Sequence, residues 1–278
     1  MQPTELNRLN ILETIIAAKR VEVEQRSKAL PVSLLRQSEH YERARLSLRQ
    51  RLPDETGTGI IAEFKRRSPS KGSINETADV VEVTRAYAES GAAGLSILTD
   101  ELFFGGSTAD LVRARINQVP ILRKDFIIDP YQLEEAKSMG ADVVLLIAAC
   151  LTPGEVQDLA GYAKELGLEV LLELHAEEEL GHICDATELV GINNRNLKTF
   201  AVDLEHSLRM ARAIPDSKIK IAESGIGNVE TIRLFRENGF RGFLVGEHFM
   251  KTYNPGAAFA EFVRQLHTVS GNNLKQQS

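Results

Sequence analysis

IIAEFK, residues 60–65, reads as a buried strand that ends on a charge. Alternation along a strand puts Ile60, Ala62 and Phe64 on one face and Ile61, Glu63 and Lys65 on the other. A strand covered on both sides has no packing reason to carry a carboxylate and a lysine at its carboxyl end, since withdrawing a charge from water costs several kcal/mol before compensation. The pattern recurs in PILRKDF around Lys124, VLLELH around Glu173, VGINN at Asn193, IAESG at Ser224 and LVGE at Gly246. For one strand alone, a solvated Glu–Lys face is the ordinary explanation. Repeated at strand after strand, it points to a site at one end of a parallel sheet.

Outward from 60–65, apolar runs predict eight strands, at 60–65, 95–99, 121–125, 143–148, 170–174, 189–193, 219–223 and 243–245. Helical patterns fall between and after them at 78–90, 108–116, 130–139, 153–166, 176–184, 204–212, 229–238 and 257–266. Such alternation predicts parallel strands joined by right-handed crossovers. Eight units in about 210 residues fit a single (β/α)8, or TIM, barrel. Residues 1–50 read as an N-terminal helical extension. Apolar positions recur every three or four residues from 4 to 30, Pro31 stops that helix, and a second is expected over 33–48. The turn-rich RLPDETGTG (51–59) is expected to be a hinge into a barrel body spanning 51–269, and 270–278 a polar, fraying tail.

Composition narrows the function classes. With 278 residues and 43% hydrophobic content the chain can bury a large core. Net charge is -6, with 33 basic and 39 acidic residues intermixed, so no basic stripe offers itself to a nucleic acid. The local group Lys65, Arg66, Arg67 and Lys71 suits a small anion better. Two cysteines, Cys150 and Cys184, are too few for a disulfide framework and fit a reduced cytoplasmic enzyme. Charges at Glu13, Lys19 and Arg20 interrupt the first apolar positions, which argues against a signal peptide, and no run reaches the ~20 residues of a membrane helix. A monomer is compatible with the sequence, which does not read oligomeric state.

Barrels of this class put their chemistry at the carboxyl ends of the strands. Alternation then points Glu63 and Lys65, Leu122, Lys124 and Phe126, and Leu171, Glu173 and His175 into the mouth. Two lysines and two carboxylates that converge can exchange protons in both directions. Glu223, Ser224, Gly225, Ile226 and Gly227 after the seventh strand, with Val245, Gly246 and Glu247 after the eighth, resemble a phosphate cradle, although either turn alone is as well explained as a tight connection. Glu247 argues against a crowded anion pocket unless it points away. Phe104, Phe126 and Leu244 are candidates for an apolar wall. No H-x-x-x-H, C-x-x-C or G-x-G-x-x-G pattern occurs, so neither a metal nor a nicotinamide cofactor is expected.

The segments IIAEFKRRSPSKG (60–72), SILTDELFFGGS (96–107), ILRKDFIIDPYQ (121–132), LLELH (171–175), GINNRNL (191–197), AESGI (222–226) and LVGE (244–247) together resemble indole-3-glycerol-phosphate synthase, the tryptophan-pathway enzyme, over essentially the whole chain. The resemblance implies closure of 1-(2-carboxyphenylamino)-1-deoxyribulose 5-phosphate to an indole with loss of carbon dioxide and water, without cofactor or metal. It implies Lys124 as general acid, Lys65 pairing with the substrate's carboxylate or phosphate and assisting dehydration, and Glu63 and Glu173 positioning and deprotonating. It further implies sugar contacts from Asn193 and Arg195, carboxylate binding by Ser68, and phosphate binding by Ser224, Gly225 and Gly246. Helices before the barrel would lie over its mouth, and the preceding isomerase step would belong to a separate chain. The residues alone leave rivals: another sugar-phosphate isomerase or a Schiff-base aldolase using Lys124, or a silent barrel serving as a binding module. Lys124 between Arg123 and Asp125 is expected to stay charged, against the aldolase. Which lysine serves which step does not follow from sequence.

Overall fold

The computed structural model describes residues 11–54, 56–196 and 201–274. Eight parallel strands close into a barrel: β1 (Ile60–Phe64), β2 (Gly94–Leu98), β3 (Ile121–Lys124), β4 (Val143–Ile147), β5 (Glu169–Leu174), β6 (Leu189–Asn193), β7 (Ile219–Glu223) and β8 (Phe240–Val245). Each pairs with its sequence neighbours, and β8 pairs with β1. The sequence expectation of a (β/α)8 barrel is therefore met. Outward residues such as Ile60, Ala62, Phe64, Ile97 and Leu146 pack under the helices in one apolar layer. Inward residues such as Ile61, Leu122, Leu145, Leu171 and Ile221 form a second layer inside the barrel.

The helices start where their caps are. Asp79, Ser107, Asp129, Thr152, Asp203 and Asn228 each accept a backbone N–H of the first turn. At Asp129 and Thr152 a proline follows and a capping box closes the turn. This places the helices Pro130–Met139 and Pro153–Glu165 within a residue of the sequence expectation.

Four expectations need correction. The stretch 33–48 is not one helix: only Val32–Leu35 and Leu48–Arg51 are helical. Its polar groups are instead spent on the barrel's underside. Arg36 and Tyr41 reach the buried Glu134 at 2.6 and 2.5 Å, Arg43 and the Leu46 N–H reach Asp142, and Ser47 and the Leu48 N–H reach Glu169. Such anchors override local propensity. The expected hinge at 51–59 likewise begins as an anchor, because its Leu52, 2% exposed, joins Leu48 of the preceding segment in the inner apolar layer at the barrel floor. Between β5 and β6 there is a 3₁₀ segment, Glu177–His182, in place of an α-helix. The last helix spans Pro255–Leu274, so most of the expected tail is helical, while 275–278 lie outside the described residues.

The N-terminal helix, Ile11–Ala29, ends before Pro31 as expected, and its C-terminal carbonyls at Arg26 and Leu30 accept from the Tyr131 hydroxyl. Positions 4–10 of the expected helix lie outside the described residues. Its buried stripe is Leu12, Ile15, Lys19 and Val23. A lysine in that stripe was not expected.

Candidate active site

The barrel's register creates the site. Glu63 is level with Ser96, and Ser96 with Leu122, two residues below Lys124. Leu122 is level with Val143 and, through it, Glu169, so Lys124 stands level with Leu171, two residues below Glu173. Glu173 is level with Gly191 and Ile221, two below Glu223, and Glu223 with Leu244 and Ile61, two below Glu63. These four two-residue steps add up to a shear of about eight residues over one circuit, so the layer closes on Glu63, as this barrel class requires. Glu63, Lys124, Glu173 and Glu223 thus form one inward layer, contributed by the odd strands. Ser96, Leu145, Gly191 and Leu244 lie in the layer below, and Leu98, Ile147, Asn193 and Gly246 above.

Lys124 Nζ sits between Glu173 Oε2 at 2.6 Å and Glu223 Oε2 at 2.7 Å. Burial disfavours its charge, but the carboxylates of Glu173, Glu223 and Glu63 outweigh that and hold it protonated beyond the usual lysine range. Glu173 also accepts from Asn193 Nδ2 at 3.0 Å and lies 3.1 Å from His175 Nε2. Burial opposes its ionisation, yet Lys124 and His175 hold it well below the ordinary carboxylate range. Glu223 goes the other way. Burial and the Glu173 charge push it up to about 7 against the pull of Lys124. Two carboxylates on one ammonium therefore divide into an ionised and a near-neutral titrating group. His175 is raised, since Glu173 outweighs the effect of burial. Lys65 pairs with Glu63 on the opposite wall.

Two glycines make this packing feasible. A Cβ on Gly191 would stand 2.2 Å from Glu223 Oε1, and one on Gly246 2.8 Å from Glu63 Cβ. After β7, Ser224 and Gly225 both have left-handed backbone, φ 67° and 73°, and Asn194 Nδ2 holds the Ser224 carbonyl at 2.7 Å. For a serine that conformation costs about 1–2 kcal/mol, and it turns the loop into the mouth.

A cavity of about 360 Å³ joins these groups. The residues assigned from sequence to catalysis or substrate binding line it: Glu63, Lys65, Ser68, Phe104, Lys124, Phe126, Glu173, Asn193, Arg195, Glu223, Ser224, Gly225, Leu244, Gly246 and Glu247. Leu122 and Leu171, expected in the mouth, pack in the apolar layer inside the barrel, and Arg66, Arg67 and Lys71 do not line the cavity. The grouping differs from the expected one. Glu223 was assigned to the anion end and Asn193 to the sugar, yet both contact the Lys124–Glu173 pair. Phe104 and Phe126 face each other with ring centroids 5.9 Å apart. Glu247 does not oppose an anion with a free charge, because Arg195 at 3.1 Å and Lys71 at 3.6 Å neutralise it. Lys124 does stay charged, but for another reason than its chain neighbours: Arg123 and Asp125 belong to a separate buried cluster with Thr99 and Glu135. Leu12 and Ile15 of the N-terminal helix, and His248 and Lys251 after β8, also line the cavity and were missed. Leu12 and Ile15 carry no signal beyond a helical stripe. His248 and Lys251 lie on and just after a short helix, Glu247–Met250, too brief for periodicity to reveal. Among the described residues no cluster of three or more His, Cys, Asp or Glu has metal-binding geometry, and no helix is long and apolar enough to cross a membrane.

A family model described as indole-3-glycerol phosphate synthase matches residues 12–262. The chain is 50% identical over 258 residues to the indole-3-glycerol phosphate synthase of Bacteroides thetaiotaomicron, covering 92% of this chain and 99% of the relative. It is 44% identical over 256 residues to that of Salinibacter ruber, covering 91% and 94%. Among solved structures, tryptophan synthase subunit alpha from Legionella pneumophila superposes with a TM-score of 0.60 at 13% identity over 81% of this chain and 97% of that one. Thiamine phosphate pyrophosphorylase from Pyrococcus furiosus does so at 0.56 and 16%, over 79% and 99%. These two likenesses concern the fold alone.

Proposed function

This chain belongs to the indole-3-glycerol phosphate synthase family, and we propose that the odd-strand layer at its barrel mouth runs the proton transfers of that reaction. The reaction is a decarboxylating ring closure in tryptophan biosynthesis, acting on a phosphorylated small molecule. Its substrate is 1-(2-carboxyphenylamino)-1-deoxyribulose 5-phosphate and its product indole-3-glycerol phosphate. The observation that carries the proposal is the Lys124 ammonium held at 2.6 and 2.7 Å by Glu173 and Glu223 beside the Phe104–Phe126 pair.

In this reading the aromatic carbon that bears the carboxylate attacks the ribulosyl carbonyl, and Lys124 gives its proton to the oxygen that becomes an alkoxide. Carbon dioxide then leaves, restoring the aromatic ring, in an apolar space walled by Phe104, Phe126 and Leu244. Lys65 protonates the departing hydroxyl, with Glu63 orienting it, while Glu173 takes one proton from the ring methylene that was C1 of the ribulose, so that the indole double bond forms and the ring N–H is kept. Glu223, poised near neutrality, returns a proton to Lys124. Ser68 and Lys65 receive the substrate carboxylate, Asn193 and Arg195 the sugar hydroxyls, and the Ser224–Gly225 turn and Gly246 backbone the phosphate, with Glu247 steadying Arg195. Indole fluorescence on adding substrate tests the whole scheme. Lys124→Ala should lower kcat by about 10²–10⁴ with circular dichroism unchanged; wild-type turnover in that variant would end the acid role.

We also read residues 1–50 as an extension of a barrel body at 51–269, although Leu48 already packs inside the barrel. Free Cys150 and Cys184 and the low pI support a cytoplasmic setting, and sedimentation at assay concentration is expected to return a monomer.

A further inference from the structure

Lys19 is the one charged residue in the buried stripe of the N-terminal helix, with 2% of its surface exposed, while the next residue, Arg20, is open to solvent. Three carboxylates surround its ammonium: Glu22 of the same helix at 2.8 Å, Asp100 Oδ2 at 3.0 Å and Asp125 Oδ1 at 3.0 Å. Burial opposes the charge, but Asp125 and Asp100 more than offset it and hold Lys19 protonated.

The two aspartates come from different loops, and each organises an aromatic wall. Asp100, after β2, uses Oδ1 to accept the N–H groups of Phe103 and Phe104 at 2.8 and 3.2 Å. Asp125, after β3, accepts the N–H of Phe126 at 2.8 Å, and its other oxygen accepts from Thr99 at 2.6 Å and Arg123 at 3.1 Å. One ammonium thus joins the loops that carry Phe104 and Phe126. Ile15 and Leu12, four and seven residues before Lys19 on the same face, reach the cavity those rings line.

We propose that Lys19 is a positioning residue for the aromatic end of the substrate: it draws Asp100 and Asp125 together, fixing the spacing of Phe104 and Phe126, and seats Leu12 and Ile15 as a roof over the carboxyphenyl ring. This rests on the reading above that the ring lies between the two phenylalanines. Lys19 touches no reacting atom, and the phosphate end, at Ser224, Gly225 and Gly246, lies outside its network. Its loss should therefore be felt at one end of the ligand and not at the other.

The full-length chain bearing Lys19→Met, which retains most of the stem and removes the charge, is the test, with 2-aminobenzoate as probe of the aromatic end and inorganic phosphate of the other. Expected are an about tenfold weaker 2-aminobenzoate affinity and a comparable rise in KM, with kcat and the phosphate inhibition constant changed by less than about twofold. Asp100→Asn should reproduce the selective loss more weakly, because an amide oxygen still accepts the Phe103 and Phe104 N–H groups. It carries the same test if Lys19→Met does not fold. Wild-type 2-aminobenzoate affinity in a folded variant, or equal loss at both ends, would overturn the proposal. Failure of the unmodified protein to bind 2-aminobenzoate competitively with substrate would instead sink the site reading, and this inference with it.

Discussion

Gly191→Ala is a one-carbon change on β6 that should disable the site without replacing a catalytic side chain. The added Cβ would lie 2.2 Å from Glu223 Oε1 and 3.2 Å from Leu171 Cδ1. The carboxylate oxygen must retreat by about 1.2 Å to reach the 3.4 Å at which ordinary contact begins. The other oxygen of that carboxylate accepts from Lys124 at 2.7 Å, so the retreat breaks this bond and leaves the ammonium to Glu173 alone. Misplacing a catalytic group by about 1 Å costs about 10²-fold in rate. Stability should fall by only about 1–2 kcal/mol, the lower part of the overpacking range, because the displaced atom ends a flexible side chain. Steady-state indole fluorescence and thermal melts measure the two effects separately. In a Glu223→Ala background the obstacle is gone, and Gly191→Ala should then add less than about twofold. Unchanged kcat/KM in Gly191→Ala, or a full additional loss in the double variant, would refute the argument that Gly191 exists to admit Glu223.

The remaining predictions concern charge and backbone. Glu223 is pushed up to about 7, whereas an unfolded glutamate titrates near 4.5, so the folded protein binds this proton more tightly than the unfolded chain does. That stabilisation is full below 4.5 and lost as pH rises through 7; Glu223→Gln should therefore gain on wild type in unfolding free energy between pH 5 and 8, by on the order of 3 kcal/mol at most, read from denaturant titrations at each pH. The same variant should lose the limb of the kcat/KM profile near neutrality, and an unchanged profile would show that Glu223 is not the titrating group. Lys65→Met should raise KM and lower kcat together, by about 10-fold or more each, and a change confined to KM would leave it a binding residue only. Ser224→Gly relieves the left-handed backbone and should stabilise by up to about 1 kcal/mol in denaturant titration while weakening substrate binding. Destabilisation would mean that the serine hydroxyl holds the loop.

The eight-strand order and the inward direction of Glu63, Lys124 and Glu173 were legible because both follow from local rules: two-residue alternation in strands, caps and three-to-four spacing in helices. The site motifs were legible for the same reason, since each sits on one strand end and the loop that follows. Register across strands is not local. It took barrel closure to set Glu223 level with Lys124, and so to move it from the phosphate end to the acid–base layer. The segment 33–48 misled because its arginines, tyrosine and serine satisfy themselves on Glu134, Asp142 and Glu169, each separated from it by roughly a hundred residues.

By itself, then, the sequence determined the barrel class and the side chains that the strand ends bring to its mouth, though not Leu12, Ile15, His248 and Lys251, because backbone periodicity dictates which face a residue takes. Only the tertiary structure decided which of those side chains touch. Coulomb energy between charges depends steeply on separations of 3 to 4 Å, and such separations come from the stagger of the closed sheet and the helix packed over it. Lys19 shows the same division: a charge in an amphipathic helix by sequence, and by its burial between Asp100 and Asp125 the junction of two loops.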